Sequence, residues 1–321
     1  MRASLPLTLL GGYLGAGKTT LLNHLLRNAH GRRIAVVVND FGSVNIDADL
    51  IEGRSEDTIS IAGGCVCCGF GDDLLETLQT LRDAREPFDH VVIETSGVAL
   101  PRNLRATVSL SPGIAVVATL VLADAESVQR QAADRYVGET VREQLNAADL
   151  VLLSKGDLLD AEALDAVDAW LRAQLRAPVL RCVDGEVPLE VLLGDFERPA
   201  RGLTPVQASG ARLRPQAHAI ARFDAEAFGV PAALDPQRLA DALSMLAPPL
   251  VRAKGLVTGR DGRRHAVQVV GRRASVTPAP VGVTGSGRLV AIAAGEPLDR
   301  EAVRAAIAQA IGGPDDTREG H

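Results

Sequence analysis

Lysine is scarce in this 321-residue chain, occurring only at Lys18, Lys155 and Lys254. Aromatic residues make up 3% of it, too few to build a platform on which bases stack. The formal net charge is -6 and no arginine-rich stripe with interleaved aromatics runs through the sequence, which argues against a nucleic-acid partner. Long apolar runs are missing too. The longest, residues 114–123, is strand-sized, so no membrane partner is expected. The N-terminus enters an apolar strand pattern directly, leaving no room for a signal peptide, and the expected location is cytoplasmic. Cysteine is also rare, four in all, yet three of them crowd into Cys65-Val66-Cys67-Cys68. A reducing compartment disfavours disulfides, and adjacent cysteines would need a strained bridge. Metal or redox chemistry is the better reading of that cluster.

One of the three lysines stands in Gly12-Tyr13-Leu14-Gly15-Ala16-Gly17-Lys18-Thr19, followed by Thr20. The run matches G-x-x-x-x-G-K-[ST]. Glycines without Cβ atoms let backbone N–H groups of Gly15, Ala16 and Gly17 close around a phosphate chain. Lys18 would reach the β- and γ-phosphates, and the Thr19 hydroxyl would be offered to Mg²⁺. The context agrees: residues 5–10 read as a buried strand, and residues 19–28 as a helix with Leu21, Leu22, Leu25 and Leu26 inward. Strand, glycine-rich turn and helix N-terminus make an anion site, and the expected ligand is a nucleoside triphosphate.

Alternating short apolar runs and helical patterns fill the first two-thirds, the signature of an α/β unit with a mainly parallel sheet. Strands are expected at 34–38, 91–93, 114–122, 150–153 and 179–180, and helices at 72–84 and 161–175. The alternation stops near Phe196, and residues rich in Arg, Pro, Gly and Ser follow. A smaller α+β unit is expected from about His218, with helices at 236–246 and 299–311 and strands at 250–257, 265–270 and 289–294. The expected division is a nucleotide-binding domain at 1–196, a linker at 197–216, a C-terminal domain at 217–312 and a disordered tail at 313–321.

Residues 89–97 read as a strand ending in Glu94 and then Gly97. After a P-loop, the acid is the candidate for the Mg²⁺ shell, and the glycine for a γ-phosphate sensor whose N–H moves when that phosphate leaves. The 150–153 strand runs into Ser154-Lys155-Gly156-Asp157. This resembles the Asn-Lys-x-Asp element of GTPases with serine in place of asparagine: Asp157 can accept from N1 and N2 of guanine, and the Lys155 stem can lie over the base. Cys65, Cys67 and Cys68 are flanked by glycines, and three thiolates suit Zn²⁺ or another borderline-soft ion such as Co²⁺. Cys182 and His24 read as structural, Arg272-Arg273 as a solvated face, and His218 as packed or at the surface rather than a ligand.

Together and in this order, these pieces resemble the CobW-like family of metal-associated P-loop GTPases, relatives of the nickel chaperones of hydrogenase and urease maturation. The matching stretches are residues 12–20, 39–42 with 46–47, 64–68, 94–97 and 154–157, and Arg252-Ala253-Lys254-Gly255 in the second unit. The resemblance implies a slow GTPase whose hydrolysis is coupled to zinc loading or release toward a client metalloprotein. It makes Cys65, Cys67 and Cys68 the metal site and puts Asp40, where relatives often carry Glu, in a switch reaching Asp47. A homodimer or the client would complete the catalytic site. Two alternatives stay open: a metal-regulated GTP-binding adaptor with negligible turnover, and a cobalt-handling accessory protein of cobalamin biosynthesis.

Overall fold

A computed structural model of the chain describes residues 4–29, 32–39, 58–63, 71–194, 223–279, 287–294 and 296–312. Those up to Gly194 belong to one compact unit and those from Phe223 onward to a second.

The first unit is built on seven strands: β1 Leu5–Gly12, β2 Ile34–Asn39, β3 Thr58–Gly63, β4 His90–Glu94, β5 Ile114–Asp124, β6 Leu150–Ser154 and β7 Val179–Arg181. They lie in the order β3-β2-β4-β1-β5-β6-β7, and every pairing is parallel. The helices are α1 Lys18–Arg27, α2 Gly71–Asp83, α3 Pro101–Val108, α4 Val128–Ala133, α5 Gly138–Asn146, α6 Ala161–Gln174 and α7 Leu189–Leu193. Side chains alternate across a strand, so β1 serves both faces. Leu7 and Leu9 join a cluster with Leu74, Leu78 and Leu104. Thr8 and Leu10 line the opposite side with Leu21, Leu22 and Leu25 of α1 and Leu192. A central strand buried on both faces explains the unbroken Leu-rich run that opens the chain.

A parallel sheet puts all carboxyl ends on one edge, where crossover loops gather. That edge carries Gly12, Glu94, Asp124 and Ser154 on four neighbouring strands. Arrangement and burial both serve this edge: Glu94 is 3% exposed and Asp124 is 8% exposed.

The second unit is a five-stranded antiparallel sheet of β8 Phe223–Val230, β9 Arg252–Thr258, β10 Arg264–Val270, β11 Arg273–Pro278 and β12 Gly287–Ala294, ordered β11-β10-β9-β12-β8. Helices α8 Pro236–Ser244 and α9 Arg300–Ile311 cover one face through Leu239, Leu243, Val303 and Ile307. Asp235 and Asp299 cap them, each accepting backbone N–H groups of the first turn. The Arg252–Gly255 stretch forms the start of β9, with Arg252 buried. At Gly255 an added Cβ would lie 2.9 Å from the carbonyl oxygen of Arg288, so the close approach of β12 requires glycine.

Several elements were not anticipated: β3, α3, α4, α5, α7 and β11. Arg272 is exposed and donates to the Ser244 carbonyl at 3.2 Å, but Arg273 opens β11 half-buried rather than lying on a solvated face. His218 lies outside the described residues.

Candidate functional site

The turn after β1 has the backbone a phosphate cradle needs. Gly12, Gly15 and Gly17 have φ of 137°, 79° and 94°, a region that disfavours any side chain. At Gly12 a Cβ would also meet the Leu122 carbonyl oxygen at 2.6 Å. Gly17 is the N-cap of α1 and offers no side chain, leaving the first N–H groups of the helix directed outward with the positive end of its dipole. Lys18 opens that helix, 8% exposed, and its Nζ donates to the Gly12 carbonyl at 3.0 Å. The lysine thus folds back across the loop whose glycines precede it. Thr19 is half-buried and Thr20 exposed on the same turn.

Glu94 ends β4 beside Leu10 of β1. The chain then turns: Thr95 donates its N–H to the Leu10 carbonyl at 2.8 Å, and Ala99 donates to that of Ser96 at 3.0 Å. Gly97 is pressed against the P-loop, for a Cβ there would lie 2.5 Å from Leu14 Cδ2 and 2.9 Å from the Leu14 nitrogen. No acceptor for the Gly97 N–H occurs among the described residues. A backbone donor with no acceptor among the described residues, next to a glycine cradle, is an arrangement that can receive an anionic oxygen.

The far side of the cradle is formed by β5 and β6. Ser154 donates its hydroxyl toward the Ala16 carbonyl at 2.8 Å, with the Ala123 carbonyl at 3.2 Å. Lys155 follows with φ 58°, and its Nζ donates to Asp124 Oδ2 at 2.9 Å. The other Asp124 oxygen accepts the Glu126 N–H at 2.9 Å, which fixes the carboxylate that fixes the lysine. Asp157 lies exposed in the one-turn 3₁₀ helix Gly156–Leu158. Helix α6 is capped by Asp160, not by Asp157, so the latter carboxylate is not engaged in capping it.

Sequence reading missed three contributors. Asp124 ends an apolar strand with an acid, the same signal that singled out Glu94. The Asp184-Gly185 turn after β7, with φ of 50° and 72°, packs on α1: a Cβ on Gly185 would lie 2.9 Å from the Leu21 Cα. Its Asp-Gly dipeptide is a turn signal, but nothing local ties it to the P-loop. Gln144, on α5, donates to the carbonyls of Gly97 and Ala99. A polar residue among the inward positions Val141 and Leu145 is its trace in the sequence.

His24 of α1 and Cys182 after β7 have pKa values moved by burial. His24 on α1 has its pKa held below the ordinary value by burial, with Glu186 acting the other way and Arg27 adding to the depression. Burial pushes the Cys182 thiol up to about 12, consistent with a core residue at 2% exposure. The three cysteines at 65, 67 and 68 and Asp40 lie outside the described residues, so the geometry of the metal motif and of the switch is not on view. Among the described residues no group of three His, Cys, Asp or Glu side chains is placed to hold a metal ion, and no helix is long and apolar enough to cross a membrane.

Residues 6–180 match the family model described as CobW/HypB/UreG, nucleotide-binding domain. A Pseudomonas aeruginosa protein described as zinc chaperone CobW is 39% identical over 225 residues, 60% of this chain and 60% of that one. A zinc chaperone CobW of Sinorhizobium sp is 34% identical over 223 residues, 60% of this chain and 63% of that one. Similarity thus spans less than two thirds of these relatives' length. The crystal structure of Zn(II)-bound YjiA GTPase from E. coli is 26% identical, covering 97% of this chain and 99% of that one with a TM-score of 0.45.

Proposed function

Since the chain belongs to the CobW/HypB/UreG nucleotide-binding family, we propose that it binds and hydrolyses GTP and couples nucleotide state to delivery of a transition metal, zinc, to a client metalloprotein in the cytoplasm. The observation that carries this reading is the cradle itself. Three positive-φ glycines, Lys18 at the helix N-terminus and the Gly97 turn packed on Leu14 converge at one sheet edge. Relatives described as zinc chaperones support the choice of metal.

The oxygen donors present suit a hard divalent ion: the Thr19 hydroxyl on the first turn of α1 and the Glu94 carboxylate at the end of β4. When bound there, Mg²⁺ would neutralise charge on the phosphates. Gly15, Ala16 and Gly17 would wrap the phosphate chain, and Lys18 would exchange the Gly12 carbonyl for phosphate oxygens. The Gly97 N–H would donate to the γ-phosphate, and that bond would be lost on hydrolysis. Asp157 would accept from the guanine ring and Lys155, steadied by Asp124, would lie along the base. In this reading the segment around Asp40 is the switch, and Cys65, Cys67 and Cys68 carry the metal as cargo. By linkage, if GTP tightens metal binding, metal tightens GTP binding by the same factor. A homodimer or the client would complete the hydrolytic site.

Zinc affinity measured by chelator competition, in GTP·Mg²⁺ and in GDP·Mg²⁺, tests this. A clear difference that disappears in the Cys65, Cys67 and Cys68 alanine variants is expected. Equal affinity in the two nucleotide states would overturn the coupling, and zinc binding that survives all three changes would remove the cysteines from the site.

A further inference from the structure

Gln144 is 1% exposed on the inward face of α5, where Val141 and Leu145 belong to the apolar core. A primary amide is costly in such a place unless its polar atoms are satisfied. Here its two donors go to one target: Nε2 donates to the Gly97 carbonyl at 3.0 Å and to the Ala99 carbonyl at 2.8 Å. Because both partners are carbonyl oxygens, the amide orientation is fixed, and both hydrogens are used.

The turn is therefore clamped from two sides. Leu14 of the P-loop closes on Gly97 from one side, where no Cβ fits, and Gln144 grips its carbonyls from the other. A third carbonyl, that of Ser96, is taken by the Ala99 N–H. The Gly97 N–H shares its peptide plane with the Ser96 carbonyl, so the Ala99 N–H that takes that carbonyl sets its direction. Gln144 holds the planes that follow through the Gly97 and Ala99 carbonyls. By anchoring Ala99, Gln144 supports from outside the turn the hydrogen bond that orients the Gly97 N–H.

We infer that Gln144 is a positioning residue for the hydrolytic reaction: it holds Gly97 and Ala99 by their carbonyls so that the Gly97 N–H is presented to the third phosphate, making recognition of that phosphate depend on α5. This rests on the reading of the P-loop as a GTP site. A nucleoside diphosphate makes no use of Gly97, so the clamp bears on the triphosphate alone. Glutamine is specified by reach and polarity. Asparagine is one methylene shorter, and glutamate would set carboxylate oxygens against carbonyl oxygens.

The test is Gln144→Met, which keeps the volume and removes both donors, in the full chain. Affinities for GDP·Mg²⁺ and for a non-hydrolysable GTP analogue with Mg²⁺ are measured beside the wild type. Expected is analogue binding weakened about tenfold with GDP binding held within about twofold, since one to two hydrogen bonds that order the donor are lost. Turnover at saturating GTP should fall at least as far. Equal weakening for both nucleotides would mark a merely structural residue and overturn the proposal, as would no change in either.

Should Gln144→Met fail to fold, hydrogen exchange on the wild type decides the matter. The analogue, and not GDP, is expected to slow exchange in residues 97–99 and 141–146 together. Slowing in 97–99 alone would overturn the link to α5. A wild-type chain that does not discriminate the analogue from GDP at all would overturn the GTP reading, and this proposal with it.

Discussion

Ser154 and Ala16 stand 138 residues apart in the chain, yet the serine hydroxyl reaches the alanine carbonyl at 2.8 Å. The end of β6 is thereby fastened to the phosphate loop through one side chain. Serine does this where the Asn-Lys-x-Asp element that the stretch resembles carries asparagine, so the short side chain links the turn after β6 to the P-loop. Ser154→Ala should destabilise the chain by about 1 kcal/mol, the usual worth of a buried hydrogen bond. Denaturant unfolding reads that loss. GTP affinity should fall with it if the link also orders Lys155, and stability lost without any change in affinity would make the bond purely architectural.

Gly97→Ala inserts a methyl group 2.5 Å from Leu14 Cδ2 and 2.9 Å from the Leu14 nitrogen. The side chain can give way, but the backbone nitrogen cannot without moving the P-loop. A destabilisation of about 1–3 kcal/mol, typical of overpacking, is expected in thermal or denaturant unfolding. In nucleotide titrations the preference for GTP analogue over GDP should collapse. Retained preference would remove Gly97 as the sensor.

Asp157→Asn replaces an acceptor-only carboxylate with a group whose nitrogen can be turned toward the guanine N1 and N2 donors. The residue is exposed and does not cap α6, so little stability should be lost. Competition between GTP and ATP should lose on the order of tenfold to hundredfold of its guanine preference, as when a polar recognition group is mismatched. An unchanged ratio would place the base elsewhere.

His24 supplies a pH dependence of defined sign. Its folded pKa lies below the ordinary 6.5, with burial the main cause. Between the folded value and 6.5 the unfolded chain binds more protons than the native one, so stability rises with pH through that window. Above 6.5 this contribution is complete, and below the folded pKa it has been lost. Unfolding midpoints of His24→Gln, measured above and below 6.5, should show a flatter pH profile than the wild type; an identical profile would assign the dependence to another group.

The strand-loop-helix around Lys18 was legible because its signals are local: an apolar run, a glycine pattern and leucines at helical spacing. Glu94 could be placed at a strand end, and Asp157 just beyond one, for the same reason. Strand β3 escaped because its residues Thr58-Ile59-Ser60-Ile61-Ala62-Gly63 are short and half polar, and its glycine reads as the flank of the cysteine cluster. Helix α3 escaped because only Leu104 and Val108 mark its inner stripe, although Pro101 stands where a helix can begin. β11 was masked by the arginine pair at its start. Gln144 and the Asp184-Gly185 turn belong to the site only through contacts with residues far along the chain, which no spacing rule reveals.

Order within the parallel sheet sets the spacing between the P-loop strand and the strand that precedes the cysteine motif. The P-loop leaves β1, and the segment holding Cys65, Cys67 and Cys68 begins just past β3, with β4 and β2 lying between them. Three strand gaps of about 4.8 Å separate those starting points, or roughly 14 Å. That exceeds the screening length of about 8 Å at physiological ionic strength. Between charges held at the ends of those two strands, direct attraction or repulsion across solvent would be screened. For the proposed coupling the sheet offers a mechanical route, from the end of β4 to the end of β2, where Val38 pairs with Glu94, and on to β3, where Asn39 pairs with Gly63. Added salt should accordingly leave any nucleotide effect on metal affinity nearly intact.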